Sequence, residues 1–274
     1  MRAFKIAVCV VFVAVTALFS VLFIKDKLTA DTSRPVITVD SELSEVSVKV
    51  TDEELLKGVT AYDEKDKDIT DKIIVESISK FIEKGVCKVT YAVCDSDNHV
   101  ATATKKIRYT DYTSPKFYMT APPCFSTNET VNLSGKVGAR DAIDGDISDN
   151  LVLTSQNFVQ RTAGTYIVEA TVTNSRGDTA ELEIPVTVEH KALNAPVITL
   201  SDYIVYTDIN RSVDFKSYIK SVSDRNGETP KDEPTVRTNA DFSKPGVYTA
   251  DFYVEDSDKT EGHTSMIIVV GYGE

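Results

Sequence analysis

The chain has 274 residues, with 30 basic against 42 acidic side chains and a formal net charge of -12. Residues 1–34 hold five of the basic and two of the acidic residues, so the remainder is more acidic than the whole. Such a surface repels phosphate and excludes nucleic acid as a partner, leaving cations, basic partners or plain solubility as its meaning.

The first element is Ile6–Ile24, IAVCVVFVAVTALFSVLFI, a run without a charge. As a helix it spans about 28 Å, matching a hydrocarbon core of about 30 Å. It exceeds the apolar region of a secretory signal, and Leu28 spoils a small-x-small cleavage site ending at Ala30. The expectation is an uncleaved transmembrane helix, with residues 6–24 in the membrane; a removed signal peptide is the alternative. Arg2 and Lys5 are matched by Lys25 and Lys27, so flanking charge decides orientation weakly. A short N-terminal tail makes the simpler topology a single pass at the cell membrane, with residues 35–274 extracytoplasmic. Residues 1–34 then form anchor and spacer.

Beyond Pro35 the chain repeats itself. Gly85–Thr110, Gly164–Glu189 and Gly246–Gly271 each read as a hairpin: an alternating strand, a polar turn and a second apolar-rich strand. Cys87, Val89, Tyr91 and Val93 share one face in the first copy. Tyr166, Val168, Ala170 and Val172 do so in the second, and Tyr248, Ala250, Phe252 and Val254 in the third. A slip of one residue would turn every apolar side chain outward, so three matching registers argue for half-buried strands. Pro35, Pro115 and Pro196 open the copies about 80 residues apart, close to the size of an immunoglobulin-like module. The fold class expected is all-β: three tandem immunoglobulin-like β-sandwich domains, at 35–113, 114–193 and 194–274, preceded by one N-terminal transmembrane helix. The joints are short, which predicts a semi-rigid rod with modules stacked end to end.

A motif accompanies the hairpins. Asp141–Ser148 reads D-x-x-D-G-D-I-S, followed by G-T-Y-x-V at Gly164–Val168 and G-x-T-A at Gly177–Ala180. The first copy has D-x-x-D-K-D-I-T at Asp63–Thr70, then Gly85 and Tyr91. The third keeps Pro196, Gly246, Val247, Tyr248 and Asp256 but has SDRNGET at Ser223–Thr229 in place of the acidic motif. These residues resemble the bacterial surface-protein Ig-like domain, a module also found in some pesticidal crystal toxins, in three tandem copies over about 240 residues. The resemblance implies a sandwich used as a stalk, spacer or adhesion module at the cell surface, without catalysis or cofactor. Its partner would be an extracellular protein or a glycan. A carbohydrate-binding surface protein is the competing class.

Two segments are candidate sites. Asp63, Asp66 and Asp68, and likewise Asp141, Asp144 and Asp146, place three carboxylates within six residues. With loop carbonyls and water they offer the oxygens calcium requires. The spacing is not that of an EF-hand, and the competing reading is a set of Asx-turns. Lys67 in the place of Gly145 implies that this turn does not need glycine. Arg176-Gly177-Asp178 is an attachment-type tripeptide in a turn, or ordinary turn chemistry after a chance arginine. For the carbohydrate alternative, Tyr203, Tyr206, Phe215 and Tyr218 are the candidate stacking rings.

Enzymatic signals are thin. His99, His190 and His263 are isolated, without a zinc or nucleophile motif, and His99 and His263, beside hairpin turns, read as solvated. Cys87 and Cys94 sit about 23 Å apart if on one strand, beyond disulfide reach. With Cys124 they read as buried thiols acting as small hydrophobes.

Overall fold

A computed structural model of the chain describes residues 2–29, 33–155, 159–224, 226–230 and 232–272. Ala30, the candidate cleavage position, and Arg225, within the Ser223–Thr229 segment, lie outside the described residues. The chain divides into two compact units, residues 1–109 and 110–274.

The first unit opens with helix α1 (Arg2–Thr29). Ile6–Lys25 has a mean hydropathy of 2.9 over twenty residues and buries none of its surface, so by length and composition it suffices to cross a membrane. Its hydroxyl at Thr16 is satisfied within the helix, donating to Phe12 O at 2.9 Å, the local pairing that an apolar surrounding demands.

The rest of this unit is a two-sheet sandwich. One sheet runs β1 (Val36–Val39), β3 (Val59–Asp63), β4 (Lys67–Asp68). The other runs β2 (Leu43–Val46), β7 (Val100–Tyr109), β6 (Val86–Cys94), β5 (Ile74–Ile78). The opening segment crosses between sheets, because β1 pairs antiparallel with β3 whereas β2 runs parallel to β7. A one-turn helix, α2 (Asp52–Leu55), starts with a capping box between Thr51 and Glu54. The expected register holds: Cys87, Val89, Tyr91 and Val93 are all buried. One thiol departs from expectation, since Cys94, at the strand's end, is exposed.

The second unit contains two more sheet pairs. The first pair comprises β11 (Gly145–Asp146), β10 (Val137–Asp141), β8 (Lys116–Met119) and, opposite, β12 (Val152–Ser155), β13 (Gly164–Thr173), β14 (Thr179–Glu189), β9 (Cys124–Ser126). The other pair comprises β15 (Val197–Leu200), β17 (Ile219–Ser223) and, opposite, β16 (Ile204–Thr207), β20 (Glu261–Val270), β19 (Gly246–Glu255), β18 (Thr235–Thr238). The parallel pairing of an early strand with the last one recurs in both, as β9 on β14 and β16 on β20. The chain is thus mostly β with three sandwich-like sheet groupings.

These last two sandwiches share one hydrophobic core, from Phe117 to Val270. The reason is legible in β20. Counting from the glycine that opens each hairpin, Ile267 stands opposite Thr249 as Lys106 stands opposite Lys88, and Val269 opposite Val247 as Arg108 opposite Val86. Lys106 and Arg108 are exposed on the outer face of the first sandwich. Ile267 and Val269 are buried, within the core that the two sandwiches share. Phe117 N donates to Tyr206 Oη at 2.8 Å, and Tyr272 Oη donates to Pro115 O at 2.8 Å.

Candidate functional site

The acidic motif does the same structural work in both copies that carry it. Asp63 Oδ1 accepts from Lys65 N (2.8 Å) and Asp66 N (3.0 Å), and Asp141 Oδ1 from Ile143 N (2.8 Å) and Asp144 N (2.9 Å). These are Asx-turns made by buried carboxylates. The second aspartate reaches across to the turn of the opposite sheet. Asp66 accepts from Ser96 N (2.6 Å) and Oγ (2.8 Å), and Asp144 from Ser175 N (2.6 Å) and Oγ (2.7 Å). The third aspartate orients its neighbour: Asp68 accepts from Thr70 N and Asp146 from Ser148 N, both at 3.0 Å. Thr70 and Ser148 then accept from Ala61 N and Ala139 N at 3.0 Å.

Hydrogen bonds from Ser96, Thr70 and Ser148 hold the carboxyls of Asp66, Asp68 and Asp146 below the usual range. The motif therefore clasps two sheets through charge-assisted bonds. In both copies, then, the three carboxylates are engaged by backbone and hydroxyl donors of their own and the facing turns.

The turn inside the motif is left-handed in both copies, with φ of +74° at Gly145 and +68° at Lys67. The backbone does favour glycine here, and Lys67 adopts the conformation at a cost. Lys67→Gly is therefore expected to raise the stability of the first sandwich by about 0.5–1 kcal/mol, net of the added freedom of the unfolded chain. Gly145→Lys should lose a similar amount in the second, both read from urea midpoints.

Arg176, Gly177 and Asp178 belong to a closed turn. Asn174, which is buried, accepts at Oδ1 from Arg176 N (3.0 Å) and Asp178 N (2.9 Å), while Nδ2 donates to Tyr112 Oη (2.9 Å) and Asp141 Oδ2 (3.0 Å). Tyr112 in turn donates to Asp178 Oδ2 at 2.7 Å. Burial, and next the Asp178 carboxylate, push the Tyr112 hydroxyl well above the ordinary phenol range. Asp178 is half-buried, with its Oδ2 accepting from Tyr112. The four aromatic side chains are likewise packed: Tyr203 is buried, and Tyr206, Phe215 and Tyr218 lie against the core.

A different cluster, which the sequence motifs did not indicate, sits where the last two sandwiches meet. Cys124 starts β9, Glu189 ends β14 and His263 lies near the start of β20. Their ligand atoms converge, with His263 Nδ1 2.7 Å from Glu189 Oε1, Cys124 Sγ 3.1 Å from Glu189 Oε1 and 3.4 Å from His263 Nδ1. Among the described residues this is the group of three such side chains able to share an ion. His263 is not solvated as its place beside a turn suggests: its side chain is 9% exposed. The β9 edge and Glu189 cover it, and Tyr253 stacks on its ring at 4.6 Å. Nε2 faces Asp251 Oδ1 at 3.2 Å.

Lys191 Nζ is 3.5 Å from Glu189 Oε1 and donates to the carbonyls of Cys124 and His263 at 3.4 Å. Burial opposes charge on His263, but hydrogen bonding to Asp251, Cys124 and Glu189 outweighs it and lifts the pKa to about 12. Burial likewise opposes the Glu189 charge, yet His263, Cys124 and Lys191 bring its pKa down to about 2. The cluster is an ionic tie between sandwiches with both imidazole nitrogens engaged. The signal that announces it is indirect. MIIVV at Met266–Val270 is a continuous apolar run, as expected of a strand covered on both faces, and His263 lies on that strand's outer face.

No protein-family model matches this chain. Pesticidal crystal protein Cry22Aa of Bacillus thuringiensis is 29% identical over 220 residues, covering 78% of this chain and 30% of that protein. An uncharacterized 81.3 kDa protein of Acholeplasma phage L2 is 30% identical over 139 residues, covering 49% of this chain and 19% of its own length. The chain thus spans less than a third of either relative. Among solved structures, the M60 catalytic domain with two CBM51 domains from Clostridium perfringens ZmpB aligns over 88% of this chain and 31% of its own, at 13% identity and a TM-score of 0.24. Drosophila N-cadherin EC1-4 aligns over 88% and 67%, at 13% identity and a TM-score of 0.23. Scores of this size say nothing about what either site does.

Proposed function

We propose that this chain is a membrane-anchored, non-catalytic Ig-like protein whose sandwiches, residues 35–274, stand outside the cytoplasm as a stalk or adhesion and protein-interaction module. The observation that carries the reading is the helix Ile6–Lys25, wholly exposed and apolar, joined to a chain of β-sandwiches. Three further facts support it. Sequence similarity to a crystal protein over 30% of that protein's length is what a reusable module shows. The loop carboxylates are engaged in tying sheets together rather than converging on a reacting centre. The thiol beside His263 belongs to a residue only 5% exposed, which closes it to a substrate. The adhesion reading is favoured over the carbohydrate-binding alternative because Tyr203 is buried and Tyr206, Phe215 and Tyr218 are partly buried against the core rather than set out as a flat row of rings.

Protease treatment of intact cells tests the placement. The expected result is loss of an epitope on residues 35–274 and retention of the full chain in the membrane fraction after high-salt washing. A chain recovered in the cytosol, or protected until lysis, would overturn it. Attachment of cells to protein-coated surfaces, compared with binding of the chain on a glycan array, separates the two function classes.

A further inference from the structure

We propose that Cys124 Sγ, Glu189 Oε1 and His263 Nδ1 form a binding site for a thiophilic divalent cation, zinc being the best match, at the junction of the second and third sandwiches. The donor set is one sulfur, one imidazole nitrogen and one carboxylate oxygen, the mixture that zinc accepts and that calcium and magnesium, which take oxygen, do not. The three donors come from three strands, β9, β14 and β20, and all lie within 4.8 Å of one another. Only Nδ1 of His263 faces the other two. Nε2 is turned to Asp251 Oδ1 at 3.2 Å, the outer carboxylate that a metal-bound imidazole characteristically has. The Tyr253 ring, stacked at 4.6 Å and 12°, fixes the plane of the imidazole.

Present separations of 2.7, 3.1 and 3.4 Å are hydrogen-bond contacts. Bonds of about 2.0–2.3 Å in a tetrahedron ask the donors to part by about half an ångström. Binding releases the thiol proton of Cys124 and one imidazole proton from Nδ1. The thiolate and Glu189 then balance the cation's two charges. The fourth position falls to a water, since Cys124 is only 5% exposed. Because the donors belong to two sandwiches, occupancy links them: the ion binds the joined state and not the separated one.

The test uses the full chain in a Cys9→Ala, Cys94→Ala background, which removes the two exposed thiols. Cobalt(II), as a spectroscopic stand-in, is expected to bind at one equivalent, with a thiolate-to-metal charge-transfer band and the intense visible bands of a tetrahedral site. Zinc should displace it and raise the melting temperature, whereas calcium should do neither. Cys124→Ser should abolish the charge-transfer band. Asp251→Asn, which leaves all three donors in place, should weaken affinity about 10–100-fold. Far-UV circular dichroism checks that each variant is folded. A folded parent that takes up no cobalt or zinc, or uptake that survives Cys124→Ser with its band intact, would overturn the proposal.

Discussion

Ile267→Lys is expected to cost residues 110–274 about 4 kcal/mol or more, the largest effect of any single exposed-to-buried exchange suggested by the repeats. The substitution installs the residue that the first sandwich carries at the equivalent position, Lys106. There the ammonium is in water. At position 267 the side chain is fully buried, and the carboxylates this face presents, Asp251 and Glu189, are already paired with His263. An unpaired buried charge is among the few changes that exceed the ordinary range of point-mutant costs. Since a domain's whole stability is about 5–15 kcal/mol, the loss is a large part of it. The reverse exchange, Lys106→Ile, should change stability by less than about 0.5 kcal/mol, because that site is exposed. Urea unfolding followed by far-UV circular dichroism reads both. Equal effects at the two positions would mean that the outer face of β20 is not covered as described.

Much of this fold is legible before any coordinates are known. Alternation at Cys87–Val93, Val168–Val172 and Ala250–Val254 fixes which face is inward, because a period of two leaves one solution once an apolar set exists. What alternation leaves open is the environment of the outward face. In β7 that face reads Lys106, Arg108 and stays in water; in β20 it reads Ile267, Val269 and is covered. The difference was present in the sequence, but its meaning depends on which edge lies opposite, and that is a long-range fact. The cluster of Cys124, Glu189 and His263 was hidden for the same reason: its members are 65 to 139 residues apart, with no local spacing to mark them, and the apolar run Met266–Val270 announces only a covered face, not which residues meet there. The acidic motif posed the opposite difficulty. Its residues were plain, but carboxylates that bind a cation and carboxylates that tie turns have the same local sequence, and only the partners Ser96 and Ser175 separate them.

Asn174→Asp is the second substitution with a large expected effect, although aspartate is the residue at the corresponding turn of both other sandwiches. Asp95 and Asp256 accept at Oδ1 from the backbone two and four residues on, as Asn174 does. Their remaining atoms differ. Asp95 turns its second oxygen to His99 Nδ1 at 2.8 Å, whereas Asn174 uses its amide hydrogens to reach Asp141 and Tyr112. A carboxylate at position 174 loses both donations and places two like charges about 3 Å apart in a buried site. The expected cost near neutral pH is about 2–4 kcal/mol, from unsatisfied partners and repulsion together.

The sign of its pH dependence follows. Burial and the neighbouring Asp141 raise the introduced carboxyl's pKa in the folded state above its unfolded value of about 3.9. Folding then binds a proton more tightly than the unfolded chain does, so the penalty is full well above that folded-state pKa and shrinks as pH falls toward 4. Adding Asp178→His rebuilds the pairing of Asp95 with His99 and should recover part of the loss, although it also removes the acceptor of the Tyr112 hydroxyl. Urea midpoints for the parent, each single variant and the pair, at pH 7 and at pH 4.5, give the coupling. A cost at pH 7 that does not diminish on acidification would show that Asn174 and Asp141 are not in contact, and with it would go the account of this turn as a closed network.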